Sequence, residues 1–327
     1  MNKGVKVLLI VVGVLVFACL VFFVGGMTML QWDFNRLGGG KYETNTYEIS
    51  QNFENISIDV ATDDISLVLS GDKGCKVVCY EQERLKHAVE ANGKTLTISV
   101  DDTRKWYEHI GFFSLETPKT TVYLPKEQYA SLLIRSSTGD IRIPKDFSFD
   151  TIDIAGSTGD VDCKASSKGT TTIKRSTGDI LVSDASSGGF SLTASTGEIR
   201  LKSVSSEGEI ALKVSTGKTS LTDVACKSLS ASGSTGDIVL VHVVASGAFS
   251  IDRSTGDIIL EECDADTLRI KTSTGKVYGS LLTEKEFITH TSTGSVNVPK
   301  TTKGGRCEIT TGTGDIDISV KDDKAPV

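Results

Sequence analysis

The chain has 327 residues, with 35 Lys and Arg against 42 Asp and Glu, for a formal net charge of −7. That balance, with no basic run anywhere, argues against nucleic acid as a partner. Five prolines and sustained apolar alternation argue against a disordered chain, and the length suffices for one membrane helix plus an extended ordered ectodomain.

In chain order, residues 1–30 form the first unit. Val7 to Val24 is uncharged and almost wholly apolar, and the apolar stretch continues loosely to Leu30. Val7–Leu30 is long enough to span a bilayer as a helix. Lys3 and Lys6 precede it, whereas Asp33 and Arg36 cancel after it. The expected topology is therefore single-pass, with the N-terminus cytoplasmic and the remainder extracytoplasmic. A cleaved signal peptide is the rival reading, but no small-x-small site follows the run. Val16-Phe17-Ala18-Cys19 has the outline of a lipoprotein cleavage site, yet Phe17 fits it poorly and apolar sequence continues beyond Cys19. Residues 31–45, with Gly38-Gly39-Gly40, read as a flexible linker.

Residues 46–135 read as a β-rich region that leads into a run of regular repeats and caps it. Asn55–Val60, Ile65–Ser70, Cys75–Glu81, Thr95–Val100 and Thr120–Leu124 alternate well enough to be strands. Trp106, Tyr107, His109, Phe112 and Phe113 fall between two of them, as the one dense aromatic cluster.

From 136 to 320 the tripeptide Ser-Thr-Gly recurs, usually followed by an acid and then Ile or Val. Its glycines are Gly139, Gly159, Gly178, Gly197, Gly217, Gly236, Gly256, Gly275, Gly294 and Gly314, at intervals of 19 or 20, and only the last copy, Gly312-Thr313-Gly314, loses the serine. A fixed period of this length marks a solenoid, whose coils bury their apolar faces only by stacking. Two residues after each glycine comes a β-branched residue, as at Ile141, Val161, Ile180 and Ile199; alternating pairs such as Ile152/Ile154 precede it. This is strand periodicity, so each coil is two or three short strands stacked about 4.8 Å from the next, in a rod of about 45 Å. Gly at the corner supplies φ > 0 where the inward alternation must break. The expected fold is an all-β parallel β-solenoid of about ten coils, with a short C-terminal tail at 321–327. Thr62-Asp63-Asp64-Ile65 reads as a degenerate earlier copy of the motif.

Thr121-Val122-Tyr123-Leu124-Pro125, a short link, then Leu132-Leu133-Ile134 and Gly139-Asp140-Ile141 is similar to the entry of the bacterial "putative adhesin" domain-of-unknown-function family, which includes LiaG-like membrane-anchored envelope proteins. The resemblance spans roughly residues 46–320. It implies a right-handed β-solenoid-like ectodomain at the cell envelope, and it brings no catalytic residues.

Stacking would align the residues that follow the corner glycines. Asp140, Asp160, Asp179 and Glu198 would then form a carboxylate column, either bracing corners or binding a cation such as Ca²⁺. Trp106, Tyr107, Phe112 and Phe113 are interaction candidates, for a partner or for the solenoid end. Cys163, Cys263 and Cys307 occupy inward positions and read as free buried thiols; Cys75 and Cys79 lie too far apart along one strand to bridge. A polysaccharide-acting enzyme would need a walled cleft, which the constant intervals leave no loops to build, and the four histidines are scattered. The chain reads as non-enzymatic, without cofactor: an adhesion, envelope-stress or interaction module, with a self-assembling scaffold as the alternative. Its expected partners are the membrane and an envelope protein or cell-wall ligand.

Overall fold

The computed structural model describes residues 3–29, 32, 41–71, 74–83, 85–102 and 116–321. Helix α1 runs from Lys3 to Met29, and its Gly4–Thr28 portion is long and apolar enough to cross a membrane. An anchor and a signal sequence both fit such a helix. The aromatic cluster at 106–113 lies outside the described residues, as do most of the linker and the last six residues.

Each regular coil is three-sided. In one coil, Ile199–Ser206 carries two sides and Glu209–Thr216 the third. Ile199, Leu201, Val204, Ser206, Ile210, Leu212 and Val214 all point inward and are buried. Leu201 and Val204 share the interior although they are an odd number apart, because Ser203 turns the chain at φ 52°. Asp184, Asp223, His242 and Glu262 adopt the same left-handed conformation in neighbouring coils. Burying each inward aliphatic side chain is worth about 1.5–3 kcal/mol, so the ladder of like residues dominates cohesion. Register is strict: Ile199 pairs with Ile180 on one side and Thr219 on the other.

The corner glycines have φ from 114° to 149°. At Gly217 an added Cβ would overlap the Gly197 carbonyl oxygen, so both dihedral and space demand glycine. The Gly197 N–H donates to the Thr216 carbonyl at 3.1 Å, which carries the ladder through the corner.

The N-terminal strands are β1 (Tyr42–Ile49), β2 (Asn55–Val60), β3 (Asp64–Leu69), β4 (Cys75–Gln82), β5 (Leu85–Asn92), β6 (Thr95–Asp102), β7 (Lys119–Leu124), β8 (Gln128–Thr138) and β9 (Ile141–Ile143). Tyr42–Asn45, expected as linker, belongs to β1, because its residues pair with Cys79–Gln82. The strands β2 and β3 form a coil of the stack itself: Ile58 pairs with Ile134, and Ile65 with Ile141. Asp63-Asp64 is its corner, as the degenerate motif indicates, and Asp64 Oδ1 accepts from the Asp140 N–H at 3.0 Å. Strands β6 and β7 add one more parallel layer. Beyond it, β5 and β4 run antiparallel to them, and β1 antiparallel to β4. This reversal of direction is the cap.

The C-terminal end departs from simple sequence order. Strand Gly305–Thr313 lies between Ile258–Thr274 and Lys285–Thr293, pairing Cys307 with Leu268 on one side and Phe287 on the other. The last coil of the chain is therefore inserted, and the Gly294 coil forms the physical end. The physical reason is polarity. The inserted coil buries Cys307, Ile309, Ile316 and Ile318, whereas the terminal one presents Thr289 opposite Ile309 and leaves Val296, opposite Ile316, exposed.

Candidate functional site

Asp140, Asp160, Asp179 and Glu198 do come together, on a solvent-facing ridge. Asp140 Oδ1 accepts from the Asp160 N–H at 3.0 Å, Asp160 Oδ1 from Asp179 at 2.8 Å, and Asp179 Oδ1 from Glu198 at 2.7 Å. Each of the three aspartates thus caps the backbone of the next coil. Arg142 pairs with Asp140, and Arg200 with Glu198. The same relation recurs from Asp237 to Asp257 and from Asp315 to Ser295.

A second ridge carries an open groove of about 860 Å³ across successive coils, lined among others by Lys168, Ser186, Ser205, Glu207, Lys227 and Ser246. Its floor is ordered from within. Ser167 Oγ lies 2.8 Å from Ser187 Oγ, and Ser187 Oγ donates to the Gly189 carbonyl at 2.6 Å. The buried serines Ser167, Ser187 and Ser206 fix the turn that presents the exposed ones.

The densest ionisable cluster is buried between cap and solenoid, and sequence reasoning missed it. His87 Nε2 is 2.7 Å from Asp63 Oδ2, and His87 Nδ1 is 2.5 Å from Glu81 Oε2. Thr120 Oγ1 donates to Asp63 Oδ2 at 2.7 Å, and Asn45 Nδ2 donates to Glu81 Oε1 at 2.6 Å. Cys79, Glu81 and His87 each offer one donor atom, and these three atoms lie within 4.8 Å of one another. Burial alone would lower the His87 pKa, but the hydrogen bonds with Asp63 and Cys79 and their charges lift it to about 11. The one signal in the sequence was Cys79-x-Glu81, which puts both side chains on the same face of a strand.

Among the described residues, Cys75, Cys79, Cys163, Cys226, Cys263 and Cys307 are buried free thiols, and Cys19 is exposed on the helix.

An apolar N-terminal helix, an antiparallel cap and a stack of 19–20-residue parallel coils define a β-solenoid protein with a candidate membrane segment. The Toastrack DUF4097 family model matches residues 53–212 and 206–326, and the chain belongs to that family. It is also similar in structure to a "putative adhesin" from Parabacteroides distasonis, at 12% identity and TM-score 0.47, over 86% of this chain and 98% of that one. A "putative adhesin" from Bacteroides fragilis gives 15% and 0.41, covering 86% and 99%. A "putative lipid binding protein" from Parabacteroides distasonis gives 17% and 0.43, covering 86% and 98%. Likeness at this level transfers no activity or ligand to this chain. No curated protein matches the sequence.

Proposed function

We propose that the protein is a membrane-anchored, extracytoplasmic, non-enzymatic binding module, and that its serine groove holds an extended, hydroxyl-rich polymer of the cell-wall glycan class. The groove carries this reading. Serine hydroxyls recur along it from coil to coil, as at Ser186 and Ser205, at a spacing of about 4.8 Å on the scale of one sugar ring, with Lys168, Glu207 and Lys227 set among them. A rigid scaffold presents them, so binding orders few side chains. The N-terminal helix supplies attachment to the membrane, and the lysines ahead of its apolar span support the outward orientation.

Co-sedimentation of the full-length protein in detergent with purified cell-wall glycan tests this. The wild type should pellet with the glycan, and Ser186→Trp/Ser205→Trp, which fills the groove, should stay in solution while keeping its melting temperature within a few degrees. Equal pelleting of both proteins, or of neither, would sink the reading.

A self-assembling scaffold has one observation in its favour. Strand Lys285–Thr293 has a partner on one side, in Gly305–Thr313, and Ile288 and Val296 are exposed at that end. A partnerless edge is a template for pairing. Yet the strand after the corner there is only two residues long, and Lys285 points inward to Asp264 at 2.7 Å, both devices that blunt an edge. Filaments of full-length protein under electron microscopy would favour the scaffold.

A further inference from the structure

We propose that Cys79, Glu81 and His87 form a structural site for a Zn²⁺-class metal ion that ties the two strands of the cap hairpin together, with His87 oriented by Asp63 of the first coil.

The donor set is right for that class. Thiolate, imidazole and carboxylate together suit zinc, whereas Ca²⁺ and Mg²⁺ take oxygen alone. The backbone places the donors. Cys79 and Glu81 are two apart on the inward face of β4, and His87 faces them from β5 across the adjoining hairpin. All three are buried. Tetrahedral coordination needs donor atoms about 3.3–3.6 Å apart, given metal distances of about 2.0–2.3 Å. Donors already within 4.8 Å of one another, with Nδ1 and Oε2 at 2.5 Å, reach that arrangement by side-chain shifts of about 1 Å.

The surroundings carry the argument further. A metal-bound histidine characteristically donates its other ring N–H to a carboxylate, which fixes the tautomer and the ring orientation. Here Nε2 faces Asp63 at 2.7 Å, and Asp63 is itself held by the Thr120 hydroxyl. Nδ1 is the nitrogen turned toward Glu81, at 2.5 Å from Oε2. Glu81 is oriented in the same way: its Oε1 accepts from Asn45 and, at 3.3 Å, from the Tyr47 hydroxyl, while Oε2 faces His87. Among the described residues, the ion pairs of Asp63 and Glu81 are those with His87, so no lysine or arginine competes for the position. Metal entry displaces the protons on Sγ and Nδ1 into solvent and forms the metal–sulfur, metal–nitrogen and metal–oxygen bonds, with no redox change.

Asp63 comes from the first coil's corner, Thr120 from β7, and the three ligands from the cap hairpin. The ion would therefore tie β4 to β5 within the cap, and it would reach the first coil through His87, whose Nε2 meets Asp63. This role is independent of what the serine groove binds.

The test uses full-length protein in detergent, stripped with chelator under reductant and reloaded with Zn²⁺ or Co²⁺. The wild type should bind one equivalent per chain. X-ray absorption at the zinc edge should show one sulfur at about 2.3 Å with nitrogen and oxygen neighbours at about 2.0 Å. The Co²⁺ form should show a thiolate-to-metal charge-transfer band that is lost in Cys79→Ser and kept in Cys163→Ser. The zinc-edge spectrum needs no variant, so it decides the matter even where Cys79→Ser fails to fold. Wild-type protein that binds less than a tenth of an equivalent, or zinc with only oxygen and nitrogen neighbours, would overturn the proposal and leave a metal-free hydrogen-bonded network.

Discussion

Arg253 fills the space that Gly233 leaves in the neighbouring coil. An added Cβ on Gly233 would overlap Arg253 Nη1, and that same group donates to the Val214 carbonyl at 3.0 Å. Arg175 stands in the same relation to Gly156. Both guanidinium groups are buried three residues ahead of a corner glycine, where other coils have Ala194 or Val214. Desolvation pulls their pKa values below the usual arginine range, opposed by Asp237 for Arg253 and by Asp140 and Asp160 for Arg175. The solenoid thus tolerates a long charged residue in its interior only beside a residue with no side chain.

Gly233→Ala should accordingly cost about 3 kcal/mol or more in urea unfolding, as an overpacked site with no room to relax. In an Arg253→Ala background the cost should shrink but persist, because the new Cβ still meets the Val214 carbonyl oxygen. Strict additivity of the two substitutions would show that the side chains do not compete for one space.

The acid ladder predicts a contrast between isosteres. Asp160→Asn/Asp179→Asn keeps an Oδ1 acceptor at each position, so stability should change by less than about 1 kcal/mol. Asp179→Ala removes the acceptor for the Glu198 N–H and should cost about 1 kcal/mol. Since the Oδ1 atoms are already engaged by backbone, we expect no saturable rise in melting temperature with millimolar Ca²⁺. Such a rise in the wild type, absent from the Asn variant, would assign the column to cation binding.

What was legible in the sequence was whatever repeats. Ile180, Ile199 and Ile238 announce the inward ladder because strand periodicity and a constant interval coincide, and Gly217 announces the corner because only glycine fits there. The second corner carried no such mark: Asp184, Ser203, Asp223, His242 and Glu262 share a left-handed backbone without sharing a residue type. The inserted last coil was invisible because Gly294 and Gly314 keep the interval that any order of stacking would give. The buried cluster was equally hidden. Asp63, Cys79, Glu81 and His87 are brought together by an antiparallel reversal and by pairing between β3 and β7, and neither leaves a spacing rule in the chain.

Burial pushes the thiols of Cys163 and Cys307 up to about 12 and that of Cys263 up to about 11. Thiolate is the reactive form. In folded full-length protein at pH 8, none of the three should react with iodoacetamide over an hour, and all should react after denaturation. Mass spectrometry that finds native disulfides among them would contradict the inward ladder.

Orientation of the helix has its own readout. Protease added to intact protoplasts should degrade the chain beyond about Gln31, given the lysines ahead of the apolar span. Full protection, in cells whose known surface proteins are cleaved, would place the solenoid inside and favour the scaffold.

The terminal coil should loosen in acid through one residue. Asp315 Oδ1 accepts from the Ser295 N–H at 3.0 Å and from the Ser295 hydroxyl at 2.9 Å, and Asp315 Oδ2 pairs with Lys276 at 3.2 Å. These bonds, the Ser295 backbone one first, lower its pKa from 3.8 to about 2. A carboxyl group depressed on folding contributes stability that is present above its unfolded pKa and lost as pH falls through the folded one. Protection of amides 285–298 against hydrogen exchange, corrected for intrinsic rates, should therefore fall between about pH 4 and pH 2 more steeply than that of amides 199–216. In Asp315→Asn the terminal coil should start less protected, because the Ser295 N–H and hydroxyl then donate to a neutral amide oxygen instead of a carboxylate, and should lose this added steepness. The same pH profile in wild type and variant would mean that Asp315 does not hold the Gly294 coil onto the stack.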